Sequence, residues 1–199
     1  MAEARDLAGT RVLILAEDHV EDAELLCPLW WLRDAGADVK VAGRERRTYR
    51  GKKGTEVPAE LTFQDALQER WDLVVVPGGY APDRLRTYLE VLELVRRQDR
   101  EGLPLGAICH AGWVLASAGV AKGRRLTSYW TIKDDLVHAG AQWVDERVVV
   151  DRNLVTSRHP PDLPAFCRAL AEQLAARRGG GAEAPAPPAA AAGAGARGR

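Results

Sequence analysis

The chain alternates between short, wholly apolar runs and longer stretches in which apolar residues recur every three or four positions. "RVLILA" (11–16), "DVKVAG" (38–43), "DLVVVPGG" (72–79) and the run at 105–108 read as strands, mostly buried on both faces. Between the first two, "EDAELLCPLWWLRDAG" reads as a helix with acids in its first turn and Gly36 as its stop. "FQDALQERW" is a short helix, and 83–100 has helical periodicity with a basic outer face. A further helix follows His110, and another is expected around 131–139. Strands near 142–150 and 153–157 precede a final helix at 161–176. "VVVDRNLVT" reads as an antiparallel hairpin near one sheet edge, and the basic stretch 44–63 as an irregular excursion or small hairpin. This alternation predicts an α/β sandwich with a mostly parallel central sheet.

In such folds functional groups collect at the carboxyl ends of the strands. Three ends carry them here: Glu17 to Glu24 after the first strand, Gly78-Gly79 after the third, and Cys109-His110 after the fourth. They converge only if those strands are neighbours.

Composition narrows the class. With 199 residues, 46% hydrophobic and 28% charged, the chain fits one globular domain over about 8–176. The Ala/Pro/Gly-rich segment 177–199 has almost nothing to bury and reads as a disordered tail. Acids and bases balance at 28 each, so no net charge points to nucleic acid or an anionic membrane. Without a membrane-length apolar run or a secretory signal, the expected location is the cytoplasm. Three widely spaced cysteines form neither a zinc pattern nor a disulfide framework, and no cofactor or metal is expected.

Cys109 closes a strand and opens a helix, so its sulfur is expected to face the helix's positive end, which lowers a thiol pKa. Ala107, Ala111 and Gly112 leave room for a sharp nucleophile elbow. His110 is the adjacent base, although adjacency alone does not aim its imidazole. Gly78 and Gly79 offer unhindered amides for an oxyanion or carboxylate. Glu21 and Glu24 share a helix face, and either is placed to tune the thiol if burial raises its own pKa. Cys27 and Cys167 read as packing. Of the other histidines, His19, His138 and His159, only the last follows a strand end closely enough to line a site. Trp30 and Trp31 cannot both face the core, which leaves one for a subunit contact.

"EDAELLCPLWWL", "VVVPGGYAPDRLR", "AICHAGWVLASAGV", "LTSYWTIKDDLVHAGAQWVDERVVVD" and "LVTSRHPPDLPAF", in that order, resemble the ThiJ/PfpI superfamily, specifically its PfpI-type branch of intracellular proteases and stress proteins. The resemblance covers about residues 10–175. It implies a flavodoxin-like three-layer sandwich related to class I glutamine amidotransferases, with Cys109 as nucleophile and His110 as its partner. It implies that Glu24 tunes the thiol and that Tyr129 lines the pocket. It also implies that an acid from a neighbouring subunit completes a triad in a homo-oligomer, a dimer or hexamer. That acid is Asp83 here, one methylene shorter than the glutamate of compared members. Ala111-Gly112 stand where Gly-Pro is common. The activities implied are cysteine peptidase, or glyoxalase III or protein deglycase on methylglyoxal-type carbonyls. Both begin with thiolate attack on a carbonyl of a peptide or small dicarbonyl. A redox sensor or holdase acting through oxidation of Cys109 is the non-enzymatic alternative.

Overall fold

The computed structural model describes residues 6–179. Along the chain lie β1 (Arg11–Leu15), α1 (Asp22–Asp34), β2 (Asp38–Gly43), β3 (Thr48–Arg50), β4 (Glu56–Pro58), β5 (Leu61–Thr62), α2 (Phe63–Leu67) and β6 (Leu73–Val76). After them come α3 (Ala81–Leu85), α4 (Leu89–Arg100), β7 (Leu105–Ile108), α5 (Gly112–Ala118), β8 (Arg125–Leu126), α6 (Lys133–His138), β9 (Gln142–Trp143), β10 (Val148–Asp151), β11 (Leu154–Ser157) and α7 (Leu163–Gly179). Seven strands form the central sheet in the order β10-β11-β7-β6-β1-β2-β5, parallel except for the β10–β11 hairpin at one edge. α1 and α7 pack together, as do α2 with α4 and α4 with α5. Val12–Leu15 and Leu73–Val76 are buried along their whole length, which is why those runs are continuous rather than alternating.

Local chemistry sets the ends of the helices. Asp22 and Glu24 stand at the positive end of α1, Arg33 lies in its last turn, and Gly36 follows in the left-handed region (φ 93°). α2 begins with a capping box: Thr62 Oγ1 accepts from the Asp65 amide and Asp65 accepts from the Thr62 amide. α4 buries Val91, Leu92, Leu94 and Val95; Arg100 is exposed, while half-buried Arg96 and Arg97 donate to the carbonyls of Ala118 and of Leu67 and Glu69.

Four boundaries differ from the sequence reading. Leu7 is fully buried and its amide donates to the Ala35 carbonyl (2.7 Å), so the fold reaches back past residue 8. α7 runs on to Gly179, three residues beyond the expected 176. The rest of the expected tail, 180–199, lies outside the described residues. The single helix expected over 83–100 breaks into α3 and α4. Tyr88 leaves helical backbone (φ −88°, ψ 120°), lies 5.4 Å from the Phe63 ring and donates its hydroxyl to Glu17 Oε2 (2.8 Å). The strand expected over 142–150 also divides. Asp145 pairs with Arg158 (2.7 Å) and Arg147 with Asp162 (3.3 Å), so β9 joins β8 while β10 joins the main sheet. The excursion at 44–63 is the β3–β4 hairpin followed by the edge strand β5. Among the described residues, no helix is long and apolar enough to cross a membrane.

Candidate active site

β1, β6 and β7 are neighbours, so the three suggestive strand ends do meet. β7 is followed at once by a single 3₁₀ turn, Cys109–Ala111, and then by α5. Cys109 adopts φ 63°, a left-handed conformation that costs a non-glycine residue roughly 1–3 kcal/mol and persists only where its surroundings hold it. This is the expected elbow.

The holding comes from two loops stitched together. The Glu21 amide donates to the Gly78 carbonyl (3.1 Å) and the Tyr80 amide to the His19 carbonyl (3.0 Å). A Cβ on Gly78 would stand 2.5 Å from Glu24 Oε2 and 2.6 Å from Cys109 Cβ. On Gly79 (φ 81°) it would stand 2.4 Å from the Glu21 backbone nitrogen. Only glycines admit this approach.

Glu24 is fully buried, and its Oε2 accepts from the Gly78 amide (2.8 Å). That amide is therefore committed to Glu24. The amides directed at the Cys109 sulfur are those of Gly79 and His110. His110 is half-buried with Nδ1 3.3 Å from Cys109 Sγ and Nε2 3.3 Å from Thr131 Oγ1. The rings of Trp113 and Tyr129 lie 5.1 Å from its imidazole on centroids. The imidazole is thus aimed, and Thr131 holds its far nitrogen. Asp83 stands exposed on α3, away from the contacts His110 makes in its own chain. Glu21 faces Lys52 (3.0 Å) and Lys53 (3.5 Å) rather than the thiol. His159 pairs with Asp162 (3.1 Å).

Sequence reasoning missed Thr131 and Lys52. Lys52 lies on the β3–β4 hairpin, which Asp22 clamps to the start of α1 by accepting from the amides of Lys53 (2.9 Å) and Thr55 (3.0 Å). Its ammonium sits 5.0 Å from the Tyr80 ring centroid. The signal available was the basic pair "KK" in a tight Gly-flanked turn, which the chain's order alone does not connect to Glu21.

Burial dominates the electrostatics. It pushes Glu24 up to about 8, with Glu21's charge adding to the effect and the Gly78 amide opposing it. It pushes the Cys109 thiol up to about 12, with Glu24's charge second and the Gly79 and His110 amides pulling back. The expected lowering of the thiol pKa is therefore overturned: desolvation outweighs the amides at this helix start. His110 is held below its ordinary value by burial and by Lys52's charge. At neutral pH the resting set is a thiol, a neutral imidazole and a protonated carboxyl. Among the described residues, no cluster of three or more His, Cys, Asp or Glu is arranged to hold a metal ion.

A parallel sheet with a cysteine on a left-handed elbow, beside an imidazole and a buried acid, defines a flavodoxin-like α/β protein built around one thiol. Residues 10–173 match the DJ-1/PfpI family, and the chain belongs to it. The Deglycase PfpI of Pyrococcus furiosus is 42% identical over 164 residues, covering 82% of this chain and 99% of that protein. A two-domain Anabaena variabilis protein containing DJ-1/ThiJ/PfpI-like and ferritin-like domains superposes with a TM-score of 0.81 at 37% identity, over 83% of this chain and 48% of that one. Drosophila melanogaster DJ-1beta superposes with a TM-score of 0.80 at 32% identity, over 85% and 92%.

Proposed function

We propose that this chain is a deglycase-type enzyme whose Cys109 adds to the carbonyl carbon of small 2-oxoaldehydes and their adducts. The observation that carries this reading is the Cys109 Sγ to His110 Nδ1 approach of 3.3 Å on the left-handed elbow. As the C–S bond forms, the thiol proton moves to Nδ1 and the carbonyl π electrons move to oxygen. The imidazolium then returns its proton to that oxygen, giving a hemithioacetal. With a hemiaminal adduct, the C–N bond breaks instead and the amine leaves carrying the proton. In either case the proton on the hemithioacetal carbon passes to the neighbouring carbonyl carbon, giving a 2-hydroxy thioester, and water breaks its C–S bond to release the 2-hydroxy acid and restore the thiol. Protonated Glu24 is a hydrogen-bond donor toward sulfur, and its Oε1 has no partner of its own among the described hydrogen bonds. The Gly79 and His110 amides steady negative charge as it develops.

Two observations favour a small electrophile over a peptide. Cys109 is only 8% exposed, a poor match to an extended backbone that must lie across its nucleophile. His110 is held by a threonine within the chain rather than by a carboxylate. Loss of methylglyoxal and cleavage of fluorogenic peptides should be followed side by side. Wild type should consume the dicarbonyl, Cys109→Ser should not, and His110→Ala should lose roughly 10²–10⁴-fold in kcat/KM. Peptide cleavage without dicarbonyl turnover would overturn the proposal.

A further inference from the structure

The other two cysteines, read from the sequence as packing, face one another. Cys27 Sγ on α1 and Cys167 Sγ on α7 lie 3.9 Å apart, although 140 residues separate them in the chain. Their exposure is unequal. Cys167 is fully buried, whereas Cys27 is half-buried in a surface depression lined by Trp30, Trp31, Arg33 and Asp34. Neither tryptophan faces the core, since Trp30 is 59% and Trp31 39% exposed, and in the single chain the approach to Cys27 is open.

We propose that Cys27 and Cys167 are a redox-active dithiol, separate from Cys109, that closes to a disulfide tying α1 to α7. The oxidant is hydrogen peroxide. The Cys27 sulfur attacks one peroxide oxygen, the O–O bond breaks, and the departing oxygen takes up the thiol proton as water. The resulting sulfenic acid at Cys27 is attacked by the Cys167 sulfur. The S–O bond breaks and hydroxide leaves with Cys167's proton as a second water. Two thiols are oxidised and one peroxide is reduced to two waters.

Geometry assigns the roles. Cys27 has solvent access and is the attacking sulfur; Cys167 has none and resolves. Burial, and then Cys27 itself, push the Cys167 thiol upward, so its proton stays on Cys167 until the second step. Closure shortens the sulfur separation from 3.9 Å to about 2.05 Å, within reach of side-chain rotation and a slight helix slide. α1 can yield there because Pro28 has no amide to donate to the Glu24 carbonyl one turn earlier.

The test uses the full chain as Cys109→Ser, which removes the third thiol and leaves the pair intact. After treatment with hydrogen peroxide, and separately with oxidised glutathione, free thiols are alkylated and the chain is digested without reductant. The expected product is one peptide joining residues 27 and 167, formed within the monomer. The urea midpoint should rise by roughly 1–2 M, the displacement given by a typical disulfide divided by the urea slope of a domain this size. Dithiothreitol should reverse it. With Cys167→Ser, or Cys167→Ala should the serine unfold the chain, Cys27 should instead accumulate as a sulfenic acid trapped by dimedone. Two alkylatable thiols after oxidation, Cys27 driven to sulfinic acid beside a free Cys167, or links only between chains would each overturn the proposal. None of these readouts depends on turnover of a carbonyl substrate.

Discussion

Glu24 is an acid enclosed on every side, and its enclosure makes stability depend on pH in the direction opposite to a salt-bridged carboxylate. Unfolded, it loses its proton near 4.5; folded, it keeps it to about 8. Between those values the native state binds more protons than the unfolded state, so this group's contribution falls as pH rises. Its cost is absent below 4.5 and complete above 8. Glu24→Gln keeps the shape and removes the titration. The variant should therefore gain on wild type by about 1.4 kcal/mol for each unit across that window. Urea unfolding at pH 5, 6, 7 and 8 reads the trend directly; a constant difference would mean that Glu24 is already ionised in the folded protein.

Among the elements, the turn from β6 into α3 has no room for a side chain. Gly78→Ala places a methyl against the Glu24 carboxyl, Cys109 Cβ and the Ile108 carbonyl oxygen at 2.5, 2.6 and 2.9 Å. Backbone must move, so the variant should lose stability by an overpacking cost of roughly 1–3 kcal/mol and most of its reactivity at Cys109. Thermal unfolding and iodoacetamide labelling would show both, and a fully stable, fully reactive variant would contradict the contacts. The sequence marked Gly78 and Gly79 as unhindered amides after a strand end, and a carboxylate does sit on the Gly78 amide, but the close approach that demands glycine came only with the fold. The elbow at Cys109 was readable from the small Ala107, Ala111 and Gly112 around a cysteine between strand and helix. Other features had no local signature. Tyr88 breaks a helix because of Glu17, 71 residues away, and Thr131 reaches His110 across 21 residues. Periodicity reports what a segment does on its own, and neither contact is local. The thiol's upward shift was missed because burial depth belongs to the packed molecule.

At the scale of the whole molecule, the strand order brings β1, β6 and β7 side by side, and the candidate site exists only once all three are paired. The same order carries a cost during synthesis. β7 takes β6 on one side, but its other side belongs to β11, which the ribosome makes 49 residues later (108 to 157). At ~5–20 residues per second, the strand that leads into Cys109 waits roughly 2–10 s with a bare, apolar edge. A nascent chain caught in that interval presents a template for aggregation. A chain stopped at residue 145 keeps that edge permanently and should collect in the insoluble fraction, where the complete chain stays in solution. Recovery of the 145-residue chain as a soluble monomer would show that something other than the last hairpin guards β7. The β10–β11 hairpin, made after the three strands whose ends form the candidate site, is then what makes that site safe to build.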